Sequence, residues 1–187
     1  MKKQWKKLIS AAMALLMMGC GKTADPDDTI TGGRINMTDP DAPKMIQSKD
    51  IVEFYASFFL YTRWRPEEHH SFQFQIKPAG GGTWTAAETY SETSCPADET
   101  LMTALQDVID RYELASMNGV CEYTAGVAPE YGECILRVTY ASGETLNFTV
   151  DNDPEAEWST MFCDVFADWF QKNDILWELE KWEEIGE

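Results

Sequence analysis

Tyr61, Arg63, Trp64, Arg65, His69 and His70 bring positive charge and aromatic surface together in one short stretch of a chain whose formal net charge is −17. Arg and Trp are enriched where binding energy concentrates. Arg63, Trp64, Arg65, His69 and His70 are therefore expected to form a recognition patch for an anionic or sugar ligand. A strand end whose arginines pair with the chain's own carboxylates would use the same residue types. The two histidines are the only ones in the sequence, and they are adjacent. In an extended segment they would point to opposite faces, so at most one could serve as the base of a hydrolytic triad. No serine lies in a Gly-x-Ser-x-Gly turn. Paired carboxylates can cleave glycosides, yet with 32 acidic residues any pair arises easily and carries no signal.

Two further stretches invite a ligand and are better read as structure. Asp151 to Glu157 places oxygen ligands at alternate positions, but it lacks the glycine that a calcium loop needs at its sixth place, and Asp153-Pro154 suits a helix start. Gly80-Gly81-Gly82-Thr83 is not followed by the lysine of a phosphate cradle and reads as a hairpin turn. No CxxC pair exists, so no zinc site is expected, and no cofactor is implied.

These residues must be held by elements that the hydrophobic pattern outlines. Ile51 to Tyr61, rich in aromatic and β-branched residues, predicts a strand, followed by a loop containing Pro66-Glu67. Phe72, Phe74 and Ile76 alternate with polar residues, Pro78 to Gly82 turns, and Thr83 to Tyr90 returns. Pro96 fits a first helical position, Asp98 and Glu99 suit the first turn, and Leu101, Leu105, Val108, Ile109 and Tyr112 share one helical face. The plan then recurs. Gly119 to Thr124 predicts a strand, Pro129-Glu130 a loop, Leu136, Val138 and Tyr140 an alternating strand, Ser142-Gly143 a turn, and Thr145 to Val150 a strand. Asp153 is the expected N-cap of a helix on which Trp158, Phe162, Val165, Phe166 and Trp169 each fall 57 positions after the apolar face of the first. The expected fold class is α+β: an antiparallel sheet with helices packed on one face, as a possible βββα duplication. Asp174 to Glu187 places Ile175, Leu179 and Trp182 on one face of an anionic amphipathic helix, expected to dock on its own domain.

Lys2, Lys3, Lys6 and Lys7 precede an apolar run from Leu8 to Met18 and the pair Gly19-Cys20, the layout of an export signal. The run is shorter than the roughly 20 residues that cross a bilayer. The segment resembles a bacterial lipoprotein signal peptide, although Met17 and Met18 stand where such signals usually carry Leu and a small residue. The resemblance implies cleavage before Cys20, lipidation of Cys20, and a protein held by that lipid on the extracytoplasmic face of the cell membrane. The expected organisation is a signal peptide over 1–19, lipidated cysteine and flexible tether over 20–49, and one α+β domain over 50–187 with its C-terminal amphipathic helix. Asp25-Pro26-Asp27-Asp28, Gly32-Gly33 and Asp39-Pro40-Asp41-Ala42-Pro43 motivate the tether.

With Cys20 assigned to lipid, Cys95, Cys121, Cys134 and Cys163 allow two disulfides in any of three pairings, or serve as small buried hydrophobes. Strong acidity disfavours nucleic acid and anionic headgroups as partners. An anchor, a tether and a core without a credible catalytic set lead to the expectation of a non-catalytic envelope module binding a protein or glycan. A carboxylate-based hydrolase acting on envelope glycan is the alternative.

Overall fold

A computed structural model describes residues 32–62, 65–126, 132–175 and 177. Its strands are β1 (Gly33–Asn36), β2 (Ile51–Thr62), β3 (Arg65–Gly80), β4 (Thr83–Glu88), β5 (Thr93–Ala97), β6 (Cys121–Ala125), β7 (Glu133–Tyr140) and β8 (Thr145–Asp151). The helices are α1 (Glu99–Arg111) and α2 (Glu157–Lys172), with a single 3-10 turn at Leu114–Met117. The strands form one eight-stranded sheet in the order β1-β6-β8-β7-β2-β3-β4-β5. Every pairing is antiparallel except β6 with β8. The α+β class expected from the pattern is the architecture observed.

Period-two alternation assigns the two faces of this sheet. Phe54, Ala56, Phe58 and Leu60 of β2, Phe72, Phe74 and Ile76 of β3, and Leu136, Val138 and Tyr140 of β7 are buried. Leu101, Leu105 and Ile109 of α1 and Phe162, Phe166 and Phe170 of α2 join them in one core. Aromatic rings dominate the contact: Phe74 stacks on Phe166 with centroids 4.4 Å apart, and Phe54 meets Phe162 edge-on at 5.2 Å. Trp177 is buried too, its ring against Phe72, Phe74 and Phe170. Its indole N–H donates to the Ser91 hydroxyl at 3.2 Å. Trp177 itself is thus held to the domain, while Leu179 and Trp182 lie outside the described residues.

The two passes differ both in strand number, four before α1 and three before α2, and in how their strands pair. In the first, β2 to β5 run as a meander. In the second, β6 pairs with β8 and not with β7. The helical faces keep the offset more closely, since buried Leu105 and Ile109 correspond to buried Phe162 and Phe166. Pro96 is not a helical residue. It lies opposite Thr85 in β5, an edge strand whose outer side asks for no ladder donor. Asp98 is instead the cap of α1, accepting from the Thr100 N–H at 2.8 Å. The cap position of α2 is Ala156 rather than Asp153, and Asp153 accepts from the Glu155 N–H one turn earlier. Pro66-Glu67, expected in a loop, belongs to β3; Pro129-Glu130 lies outside the described residues.

The segment 33–49, assigned to the tether by its polarity, is strapped to the sheet. β1 pairs with β6 along four positions, from Gly33 opposite Ala125 to Asn36 opposite Glu122. The Met37 and Asp39 N–H groups continue onto the carbonyls of Cys121 and Gly119 at 2.7 and 2.8 Å. Buried Asn118 donates to the carbonyls of Pro43 and Thr145, accepts from the Asn147 N–H, and receives Lys44 on its own carbonyl. The Glu144 carboxylate accepts from the Gln47 and Ser48 N–H groups, each at 2.9 Å, and Ile46 is buried beneath. Gly119, at φ +79°, lets the strap come close, because a Cβ there would lie 2.3 Å from that of Ala42.

Candidate functional site

The sheet face away from the helices is built from the alternate residues of the same strands. Register across β7, β2 and β3 sets them in rows: Arg137 opposite Tyr55 and Tyr55 opposite Gln75, then Thr139 opposite Glu53. Asn147 of β8 extends the first row beyond Arg137. A shallow trough of about 640 Å³ lies over these rows, with Glu53, Tyr55, Gln75, Lys77, Arg137 and Thr139 among its walls.

Tyr55 is the fixed centre of the trough. Its hydroxyl accepts from the Gln73 amide at 2.8 Å, and the Arg137 guanidinium lies over its ring, 5.6 Å from the centroid. A guanidinium stacked on a ring keeps its fork of donors free for a planar oxyanion. Arg34 meets Glu122 and Lys49 meets Asp110, whereas no carboxylate among the described residues lies within ion-pair distance of Arg137 or Lys77. A second depression of about 500 Å³ adjoins the first and shares Arg137, with Asp39, Asp41 and Asn147 on its walls. Asp39 is partly occupied in the strap itself, accepting from the Asp41 N–H at 3.0 Å.

The patch expected from the sequence lies at the opposite end of the β2–β3 hairpin from this trough. Arg63 and Trp64 are outside the described residues, as is Cys20. Arg65 is set opposite Thr62, His69 opposite Tyr61 and His70 opposite Leu60. His70 is half-buried on the core side, its ring 6.4 Å from that of Phe72. Side chains considered for calcium have internal roles: the Asp151 carboxylate accepts from the Thr124 N–H and hydroxyl, and the buried Asn152 amide exchanges two hydrogen bonds of 2.8 Å with the Phe59 backbone. Among the described residues, no three His, Cys, Asp or Glu side chains gather in a way that could hold a metal ion.

No disulfide joins Cys95, Cys121, Cys134 and Cys163. Burial pushes the Cys134 thiol up to about 12, and raises Cys95 against a hydrogen bond with Trp169. Neither is primed as a nucleophile, because the thiolate is the reactive form. No helix among the described residues is long and apolar enough to cross a membrane.

The trough was missed by sequence reasoning because its residues come from strands far apart in the chain. Alternation marks Tyr55, Gln75 and Arg137 as outward positions, but only the pairing of β7 and β3 with β2 makes them neighbours. No known protein family, curated protein or solved structure matches the chain.

Proposed function

We propose that this chain is a lipoprotein, anchored through Cys20 on the extracytoplasmic face of the cell membrane, and that it acts there as a non-catalytic binding module with the open sheet face as its recognition surface. The anchor rests on the resemblance of residues 1–20 to a lipoprotein signal. The binding role rests on one observation: Arg137, stacked on Tyr55 and without a carboxylate partner among the described residues, faces solvent beside Lys77 in an acidic chain. An exposed guanidinium held on a ring keeps its donor fork available to a ligand from outside the chain. Hydrolysis by paired carboxylates is less well served, because the trough has Glu53 as its one acid.

Two experiments test the two halves. Labelled fatty acid should be incorporated by the natural chain and not by Cys20→Ala; label on the variant would overturn the anchor. A photo-crosslinking residue at position 55 should capture an envelope component in intact cells that the same probe at position 107, on the helix side, does not. Equal capture at both, or none from a correctly anchored protein, would overturn the recognition face.

A further inference from the structure

Resting on that reading of the open face, we infer that the ligand of the trough is a glycan bearing sparse carboxylates, laid across the strands with one carboxylate on the fork of Arg137. Three observations narrow the class. β2 is paired on both sides, with β3 and with β7, so the ladder uses the backbone donors and acceptors beneath the trough. A peptide recognised through its main chain needs a free sheet edge. The trough instead offers side-chain groups, and a ligand read by side chains alone must carry its own dense set of hydroxyls and amides.

The polar row supplies partners for such a ligand. Asn147, Arg137, Tyr55 and Gln75 stand on four adjacent strands. At about 4.8 Å per strand they span roughly 14 Å, the reach of a short oligosaccharide rather than of a single small anion. The amide and phenol groups at these intervals can donate to or accept from sugar hydroxyls, and the guanidinium can donate. The Arg137 guanidinium, held by the Tyr55 ring while the Gln73 amide fixes that ring, adds a bidentate position for a carboxylate. Lys77 gives a second positive charge along the trough, and Glu53 can accept from a hydroxyl.

Charge sets the density of the ligand's acids. Two cations and one carboxylate make the trough locally positive, while the whole chain carries −17. A polyanion with an acid on every sugar would gain at the trough and be repelled by the remainder of the surface. A glycan with occasional carboxylates gains the first without the second.

The test uses the full chain in neutral detergent and titrates it calorimetrically with a tetrasaccharide of alternating hexuronic acid and N-acetylhexosamine. Reducing the carboxyl groups of this probe to alcohols should weaken binding about tenfold or more, the loss expected for a charge-assisted pair. Arg137→Met should weaken the acidic probe to the same degree, weaken the reduced probe much less and keep the melting temperature. Arg137→Lys should recover part of the loss, because charge remains and the fork does not. The reduced probe binding as tightly as the acidic one would overturn the carboxylate assignment. A dipeptide with a free C-terminal carboxylate binding as tightly as the tetrasaccharide would overturn the glycan assignment. Absence of binding to either sugar, with selective crosslinking from position 55 intact, would overturn this inference and leave the recognition face standing; absence of both would remove the recognition face as well.

Discussion

On the helix side of the sheet, Phe54, Phe74 and Phe148 are sealed beneath α1 and α2; at adjacent positions of the same strands, Tyr55, Gln75 and Asn147 stand on the open side. The first set has apolar neighbours on every side, and its rings stack on those of α2. The second set is connected by polar contacts, such as Gln73 to the Tyr55 hydroxyl. Because neighbouring residues of one strand serve different surroundings, the packed core and the open trough are divided by parity along β2, β3 and β7. The helices add a second asymmetry, for Glu99, Asp107, Asp110, Glu157 and Asp168 are exposed on the covered side, against Arg111 and Lys172. These five acids lie on the side of the sheet away from the trough.

Mutation should separate the faces most sharply at Phe166, which is fully buried and stacked on Phe74. Phe166→Ala is expected to cost about 3–5 kcal/mol in urea unfolding, the usual penalty for truncating a core aromatic. A loss below about 1 kcal/mol would mean that α2 is not integral to the core. The strap provides the next largest effect. Gly119→Ala forces a Cβ against Ala42 and the Asp39 carbonyl at positive φ, with an expected loss of about 2–4 kcal/mol. Hydrogen exchange should quicken at Met37 and Asp39, the amides that bond across this junction.

Titration distinguishes the core from the strap in opposite pH ranges. The Cys134 thiol is raised from 9.0 to about 12 by burial. The folded chain thus keeps a proton that the unfolded chain loses, and stability is full below that lower value and falls as pH rises through the interval, by about 1.4 kcal/mol per pH unit. Cys134→Ala should flatten this alkaline slope in unfolding curves. Glu144 behaves in the opposite sense: backbone bonds from Gln47, the Ser142 hydroxyl and backbone bonds from Ser48 lower it from 4.5. Its contribution is present above that value and disappears as pH falls through the lowered one. Protection of the Gln47 and Ser48 amides relative to their intrinsic exchange rates should therefore fall on acidification, and in Glu144→Gln that loss should already be present at neutral pH. Tyr55→Ala should have the smallest effect on stability, within about 1 kcal/mol; a loss comparable to that of Phe166→Ala would merge the two faces into one structural unit.

Much of this division could be read in the sequence where a period is regular. Leu136, Val138 and Tyr140 announce a half-buried strand, and Leu105 with Ile109 and Phe162 with Phe166 announce helical faces. Segments whose backbone bonds, rather than their side-chain pattern, decide their fate were not legible. Gly33–Asn36 has no apolar rhythm and becomes a strand only because β6 presents an edge. Polar residues 37–49 look solvated, yet Asn118 and Glu144 from distant turns satisfy their main chain. Thr93–Ala97 was hidden by Pro96, which an edge strand tolerates. The trough was illegible for a third reason: Arg137 and Tyr55 become partners through register, a property of pairs of strands and not of either one.

The strap also has mechanical meaning. Tension applied to the chain ahead of Gly33 would reach β1 first, a strand of four residues bonded on one side only, before it reached Ile46 or the long strands that hold the core. Peeling residues 33–49 would lengthen the leash by about 60 Å at full extension, while β7, β2 and β3 kept their register. Pulled from its N-terminus in a single-molecule experiment, the domain is expected to yield in a low-force step of this size before the main rupture; a single rupture without it would show strap and sheet failing as one. A module moored by its N-terminus would then have a built-in shock absorber, letting out chain under load while its recognition face stayed in shape.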